Sequence, residues 1–143
     1  MNTKDCFERR LLRRTEPSPE KAARALEMAM GRIERAESLA VHGFFEDAIV
    51  SAYTAMFQAA RALLFKDGIV EKSHFCVVQY LDEIYSKKGH MEQKYVTWLN
   101  TYREERHISL YGLEPTGTEK DDSRLAIERA REFVSHVKKM LEE

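Results

Sequence analysis

Ser18, Pro19 and Glu20 open the first long amphipathic stretch as an N-cap, a first-turn proline and an early acid. Ala22, Ala25, Leu26, Ala29, Ile33, Ala36 and Ala40 then recur at i, i+3, i+4 and i+7, which predicts a helix to about residue 41. Gly43 interrupts. "FFEDAIVSAYTAMFQAARALLF" follows to about residue 66, apolar nearly all round, with Ala48, Ala52, Ala55, Ala59 and Ala62 among larger side chains, so this helix should be the central one. Gly68 breaks the pattern and Ser73 caps a third helix, whose buried face is Val77, Val78, Leu81, Ile84 and Tyr85 before "SKKGH" closes it. A fourth helix runs from about Glu92 to Tyr111, where Gly112 is expected to take the left-handed conformation and Pro115 prevents continuation. Thr118 and Asp121 form the expected capping box of a fifth, buried through Ala126, Ile127, Ala130, Phe133, Val134, Val137 and Leu141.

Short connections force sequence neighbours to pack side by side, so the expected fold is all-α, an up-and-down antiparallel bundle of four to five helices. The bundle domain would cover residues 17–143. Residues 1–16 form a separate basic segment, with Arg9, Arg10, Arg13 and Arg14 around Phe7, Leu11 and Leu12, expected either as a docking arm or as a loosely ordered terminal helix.

Composition supports this picture: 33% charged residues, six glycines and three prolines in 143 residues suit amphipathic helices far better than a turn-rich β fold. A net charge of -1 removes any global positive field, so attraction to nucleic acid or anionic lipid must be local. Cys6 and Cys76 make no CxxC pair and are expected as free thiols, consistent with a cytoplasmic protein. No signal-peptide core and no run of about 20 apolar residues is visible, which predicts no membrane association.

The chain carries no glycine-rich phosphate loop, HExxH, GxSxG or EF-hand signature. His42, His74, His90, His107 and His136 include no i, i+4 metal-binding pair, so neither a metal nor a cofactor is expected. The fourth helix is different. Placed on a wheel at about 100° per residue, Met91, Tyr95, Trp98, Leu99 and Tyr102 define a buried arc, and Arg106 falls inside it. Arg103, His107 and Tyr111 form an i, i+4, i+8 ridge along the edge of that arc, with Asn100 between them in angle. A guanidinium that cannot lose its proton and lies on an apolar face needs a carboxylate, a subunit interface or an anionic ligand. With an imidazole and a phenol beside it, the strip suits a phosphodiester, with Arg103, Arg106 and Asn100 as phosphate contacts and Arg106, His107 and Tyr111 as candidate catalytic residues. The competing reading pairs Arg106 with a glutamate of a neighbouring helix and leaves Arg103 and His107 to meet the helix dipole.

The ordered succession "HGFFEDAIVSAYTAMFQAARALLFKDG", "KSH", "RHISLYG" and "TEKDDSRLAIERAREFVSHVKKML" resembles the HEPN domain family (higher eukaryote and prokaryote nucleotide-binding), in its small stand-alone prokaryotic form, over about residues 20 to 142. The resemblance implies a helical bundle that pairs into a homodimer, with the end of the fourth helix facing the partner chain. It also implies metal-independent endoribonuclease activity in many members, often as toxins countered by a nucleotidyltransferase antitoxin. In such members an arginine is followed after four to six residues by a histidine. Arg106 matches the arginine, while the fifth residue after it is Tyr111 rather than histidine. Tyr53 in "SAYTAMF" and His74 in "KSH" also lie in family-like contexts, each with an ordinary structural explanation. Two functional expectations follow: an RNA- or nucleotide-binding dimer with a ribonuclease site, or a non-catalytic dimerisation and protein-interaction module with a degenerate site.

Overall fold

The Ser18 hydroxyl accepts from the Lys21 amide at 3.1 Å in the computed structural model, which describes residues 1–143, and starts α2 (Pro19–Val41) with proline in its first turn. Proline is tolerated there because its missing N–H has no helical partner in any case. After a turn at Gly43, whose φ of 84° suits glycine, the chain reverses into α3 (Phe45–Asp67). As its all-round apolar pattern requires, α3 is the core helix, packed against α2, α5 and α6, with Ala52, Ala55, Met56, Ala59, Leu63 and Leu64 fully enclosed. Alanines at these positions let neighbouring backbones approach closely, which an all-leucine helix would prevent.

α3, 23 residues long, holds a window of mean hydropathy 1.3, which by length and composition alone would suffice to cross a membrane. Its most apolar window is 72% buried within the bundle, which accounts for its composition.

Residues 1–16 are not a loose appendage. Asn2 and Asp5 form a capping box for α1 (Thr3–Glu8), and β1 (Leu12–Arg14) pairs antiparallel with β2 (Ile69–Glu71), Leu12 opposite Glu71 and Arg14 opposite Ile69. Leu12 enters the core while Arg9, Arg10, Arg13 and Arg14 stay exposed. Gly68 turns α3 into β2 with φ 76°, and a Cβ there would meet the Thr15 carbonyl oxygen at 2.5 Å, so handedness and space both demand glycine. Cys6 and Cys76 are disulfide-bonded, with Cα atoms 5.9 Å apart, rather than free thiols. α1 lies on α4 (His74–Tyr80), and this tertiary contact across 70 residues of sequence is what brings the two sulfurs together.

The third predicted helix is divided. α4 passes into a π-helical turn (Leu81–Ser86), and because π geometry aligns residues about five apart, the Tyr80 and Tyr85 hydroxyls both donate to Asp67 Oδ2, at 2.9 and 2.6 Å. α5 (Gln93–Tyr111) ends as expected, for a different reason. Gly112 is extended, with φ -72° and ψ 153°, and its amide donates to the Ile108 carbonyl at 2.8 Å. A Cβ would stand 2.5 Å from that oxygen, so glycine is needed for close approach and not for left-handedness. α6 (Lys120–Glu142) begins one residue later than expected: Glu119 and Asp122 make the capping box. Thr118 instead meets the Thr116 hydroxyl at 2.7 Å, and Thr116 donates to Glu46 at 3.0 Å, tying the α5–α6 loop to the start of α3. The architecture is an all-α HEPN-like bundle with one small two-stranded ladder at the side.

Candidate functional site

The first half of α5 is a packing element. Met91, Tyr95, Val96, Leu99 and Tyr102 are buried, and Trp98 is half-buried beneath the cations of Lys94 and Arg129, at 5.5 and 5.2 Å. Arg106 continues this face one turn on, as the wheel places it, and is half-buried. None of the ion pairs within the chain includes it, so the expected glutamate partner is not there. Arg103 is held differently. Its Nε donates to Asn100 Oδ1 at 3.0 Å, its terminal nitrogen lies 3.7 Å from Glu104, and its guanidinium sits 5.4 Å over the Phe75 ring.

His107 and Tyr111 lean on each other with ring centroids 5.0 Å apart and planes tilted by 47°. Both are exposed, in a helix end that also presents Ile108, Leu110 and, past the stop, Leu113 at 98% exposure. The five candidates therefore fall into two groups along α5: Asn100, Arg103 and Arg106 toward the body of the bundle, His107 and Tyr111 toward solvent.

The inner group meets residues on other helices that the wheel of α5 cannot reveal. Tyr53 of α3, only 1% exposed, shares a hydrogen bond between its hydroxyl and His74 Nδ1 at 2.6 Å. The Phe57 ring lies nearly parallel to the imidazole, 7° off and 4.0 Å away. Ser73 caps α4 through the Cys76 amide at 3.1 Å, which fixes the first-turn backbone bearing His74. Burial pushes the Tyr53 phenol well above its usual range, against the opposing pull of Arg106 and Arg103, so it keeps its proton. Burial also lowers the His74 pKa, and Arg106, Arg103 and Arg61 push it the same way, so the imidazole is neutral. Tyr53, His74, Arg103 and Arg106 thus act on one another across a single neighbourhood. The contexts of Tyr53 and His74 were visible in the sequence, but not their pairing, since no local spacing links residues 21 apart on two helices.

Two guanidiniums and a neutral imidazole can neutralise and hydrogen-bond a phosphate, and the half-buried rings of Phe57 and Phe75 lie beside them. His, Cys, Asp and Glu side chains nowhere converge in groups of three that could hold a metal ion.

Comparison with known proteins agrees with the architecture. The chain is 26% identical over 95 residues to a UPF0332 protein of Pyrococcus horikoshii, covering 66% of this chain and 67% of that one. It is 27% identical over 118 residues to a protein of Methanocaldococcus jannaschii named provisionally as a toxin, covering 82% of this chain and 87% of the relative. The profile of the HEPN domain matches residues 22–140, from the first turn of α2 to the last turns of α6, and the chain belongs to the HEPN domain family.

Proposed function

We propose that the protein binds RNA or a nucleotide phosphate at a site centred on Arg106, and that it does so as a homodimer in which the α5 ends meet. The observation that carries this reading is Arg106 itself, a half-buried guanidinium without an ion pair beside a second arginine. The exposed apolar end of α5, with Ile108, Leu110 and Leu113, supports its covering by a second copy of the chain. Similarity to a protein named provisionally as a toxin supports a role as a toxin; a nucleotidyltransferase antitoxin as its partner is part of the proposal.

A cleaving version, by transesterification, needs no metal. His107 takes the 2′-hydroxyl proton as the 2′ oxygen attacks phosphorus, the P–O5′ bond breaks, and the leaving 5′ oxygen is protonated by the second copy's imidazolium. Arg106 and Arg103 from both chains offset the charge that builds on the phosphorane. The products would be a 2′,3′-cyclic phosphate and a 5′-hydroxyl end.

Tyr111 standing five residues after Arg106, where an active site of this kind carries histidine, favours a second reading: a dimerisation and interaction module that binds without cleaving. RNA cleavage in EDTA by wild type and Arg106→Ala decides between them. Cleavage by wild type and none by the variant establishes the ribonuclease. Equally negligible cleavage by both, with RNA retention lost only in the variant, establishes binding alone.

A further inference from the structure

We infer that His74, held by Tyr53 and Phe57, is a further contact of the same phosphate ligand, its Nε2–H donating alongside the guanidiniums of Arg103 and Arg106. The inference rests on the reading of Arg106 as a phosphate site and adds to it a residue from a different helix.

The Tyr53 hydroxyl and His74 Nδ1 lie 2.6 Å apart, and with the phenol as donor the ring's own proton resides on Nε2, the tautomer this inference requires. Phe57, stacked 4.0 Å away, sets the ring plane, and the Ser73 cap sets the backbone that carries it. Nε2 makes no hydrogen bond within the chain and belongs to a half-buried ring, so it is free to meet a ligand. The groups facing the ring are Tyr53 and Arg61 from α3 and Arg103 and Arg106 from α5. Among three cations an imidazolium would be repelled. A neutral N–H supplies a donor to an anion without that repulsion, which is what a phosphate bound by two arginines can still accept through its remaining oxygen lone pairs. Arg103 over Phe75, the residue after His74, brings the arginine-bearing face of α5 against the start of α4.

The test is a fluorescence-anisotropy titration with a fluorescein-labelled single-stranded RNA of mixed sequence, with AMP as competitor, on wild type, H74A, H74Q, Y53F and R106A. Loss of a hydrogen bond to a charged acceptor predicts roughly tenfold weaker RNA binding by H74A. H74Q, whose amide nitrogen reaches the Nε2 position, should bind within about threefold of wild type by the same reasoning. Long-range proton–nitrogen NMR spectra should show the Nε2–H tautomer in wild type and a mixture in Y53F, a change that a purely structural role would not couple to affinity. If AMP competes less well against H74A in proportion to the loss of RNA affinity, the ligand is a single nucleotide phosphate; if only RNA affinity moves, it is the chain phosphodiester. Wild-type affinity in folded H74A overturns the inference, whether or not R106A binds. Unchanged binding by R106A together with weakened binding by H74A refutes the arginine reading and leaves His74 as a contact. Should H74A fail to fold, H74N replaces it, since asparagine fills the Nδ1 position and lacks the outer donor; equal binding by H74N and H74Q then overturns the inference.

Discussion

Two histidine–tyrosine pairs stand at opposite edges of the candidate site and differ in nearly every respect. Tyr53 and His74 come from different helices, share a 2.6 Å hydrogen bond and are clamped by Phe57. His107 and Tyr111 come from one helix, touch only ring to ring at 5.0 Å, and face solvent, Tyr111 at 65% exposure. The first pair is organised by the chain's own fold before any ligand arrives. The second has no such framework within the chain, and on the dimer proposal the second copy would supply its surroundings. A site assembled from both would have one half rigid within the protomer and one half completed by association, so dimer formation could control activity without any rearrangement of the core.

The largest effect that separates the pairs is on stability. Tyr53→Ala should cost about 3–5 kcal/mol in urea denaturation, because it removes a buried aromatic and leaves His74 without its hydrogen bond. Tyr111→Ala measured in the same way should change stability by no more than about 0.5 kcal/mol. A comparable loss in both would mean that the outer pair is already packed in the free protomer. The disulfide comes next. Cys76 lies two residues beyond His74, and opening its bond to Cys6 should lower stability by about 2–4 kcal/mol, read as the difference between denaturation of Cys6→Ser and of wild type. Near-zero cost would show that α1 and the β ladder hold the N-terminal segment unaided.

Tyr53→Phe keeps the ring and removes only the hydroxyl, for which about 1 kcal/mol is expected. The smallest effect is a pH dependence. Because the folded pKa of His74 lies below its ordinary value of 6.5, the unfolded chain binds more protons in the window beneath that value. Stability therefore falls as pH drops from about 7 toward about 5, and His74→Gln should flatten that part of the curve, as thermal melting across pH would record.

Helical periodicity made the outer pair legible and left the inner one unseen. Arg103, His107 and Tyr111 are i, i+4 and i+8 on one helix, so a wheel places them together with no knowledge of the fold. The same wheel correctly set Arg106 on the buried arc beside Tyr102, but the glutamate it might have met depends on other helices and is not there. Tyr53 and His74 meet because α4 packs on α3, and at the far end of α3 Tyr80 and Tyr85 converge on Asp67 through a π-helical turn that no apolar pattern announces. Caps and stops were readable to within a residue because they are chemistry local to the chain, as at Ser18 and Ser73. Gly112 shows the limit of that reading: the stop was right, but the physical cause is crowding against the Ile108 carbonyl. The N-terminal arm was misjudged for the opposite reason, since its order derives from β pairing and a disulfide to residues far along the chain.

The bond between Cys6 and Cys76 also gives the molecule a topology. It closes residues 6–76 into a covalent ring that contains α2, α3, Tyr53, Phe57 and His74, while α5 and α6, with Arg103 and Arg106, hang from that ring as an open tail. The candidate site straddles the junction. Tyr53, Phe57 and His74 are thus joined both by packing and by a closed covalent path, whereas Arg103 and Arg106 are kept beside them only by the packing of α5 and α6 on the shared core.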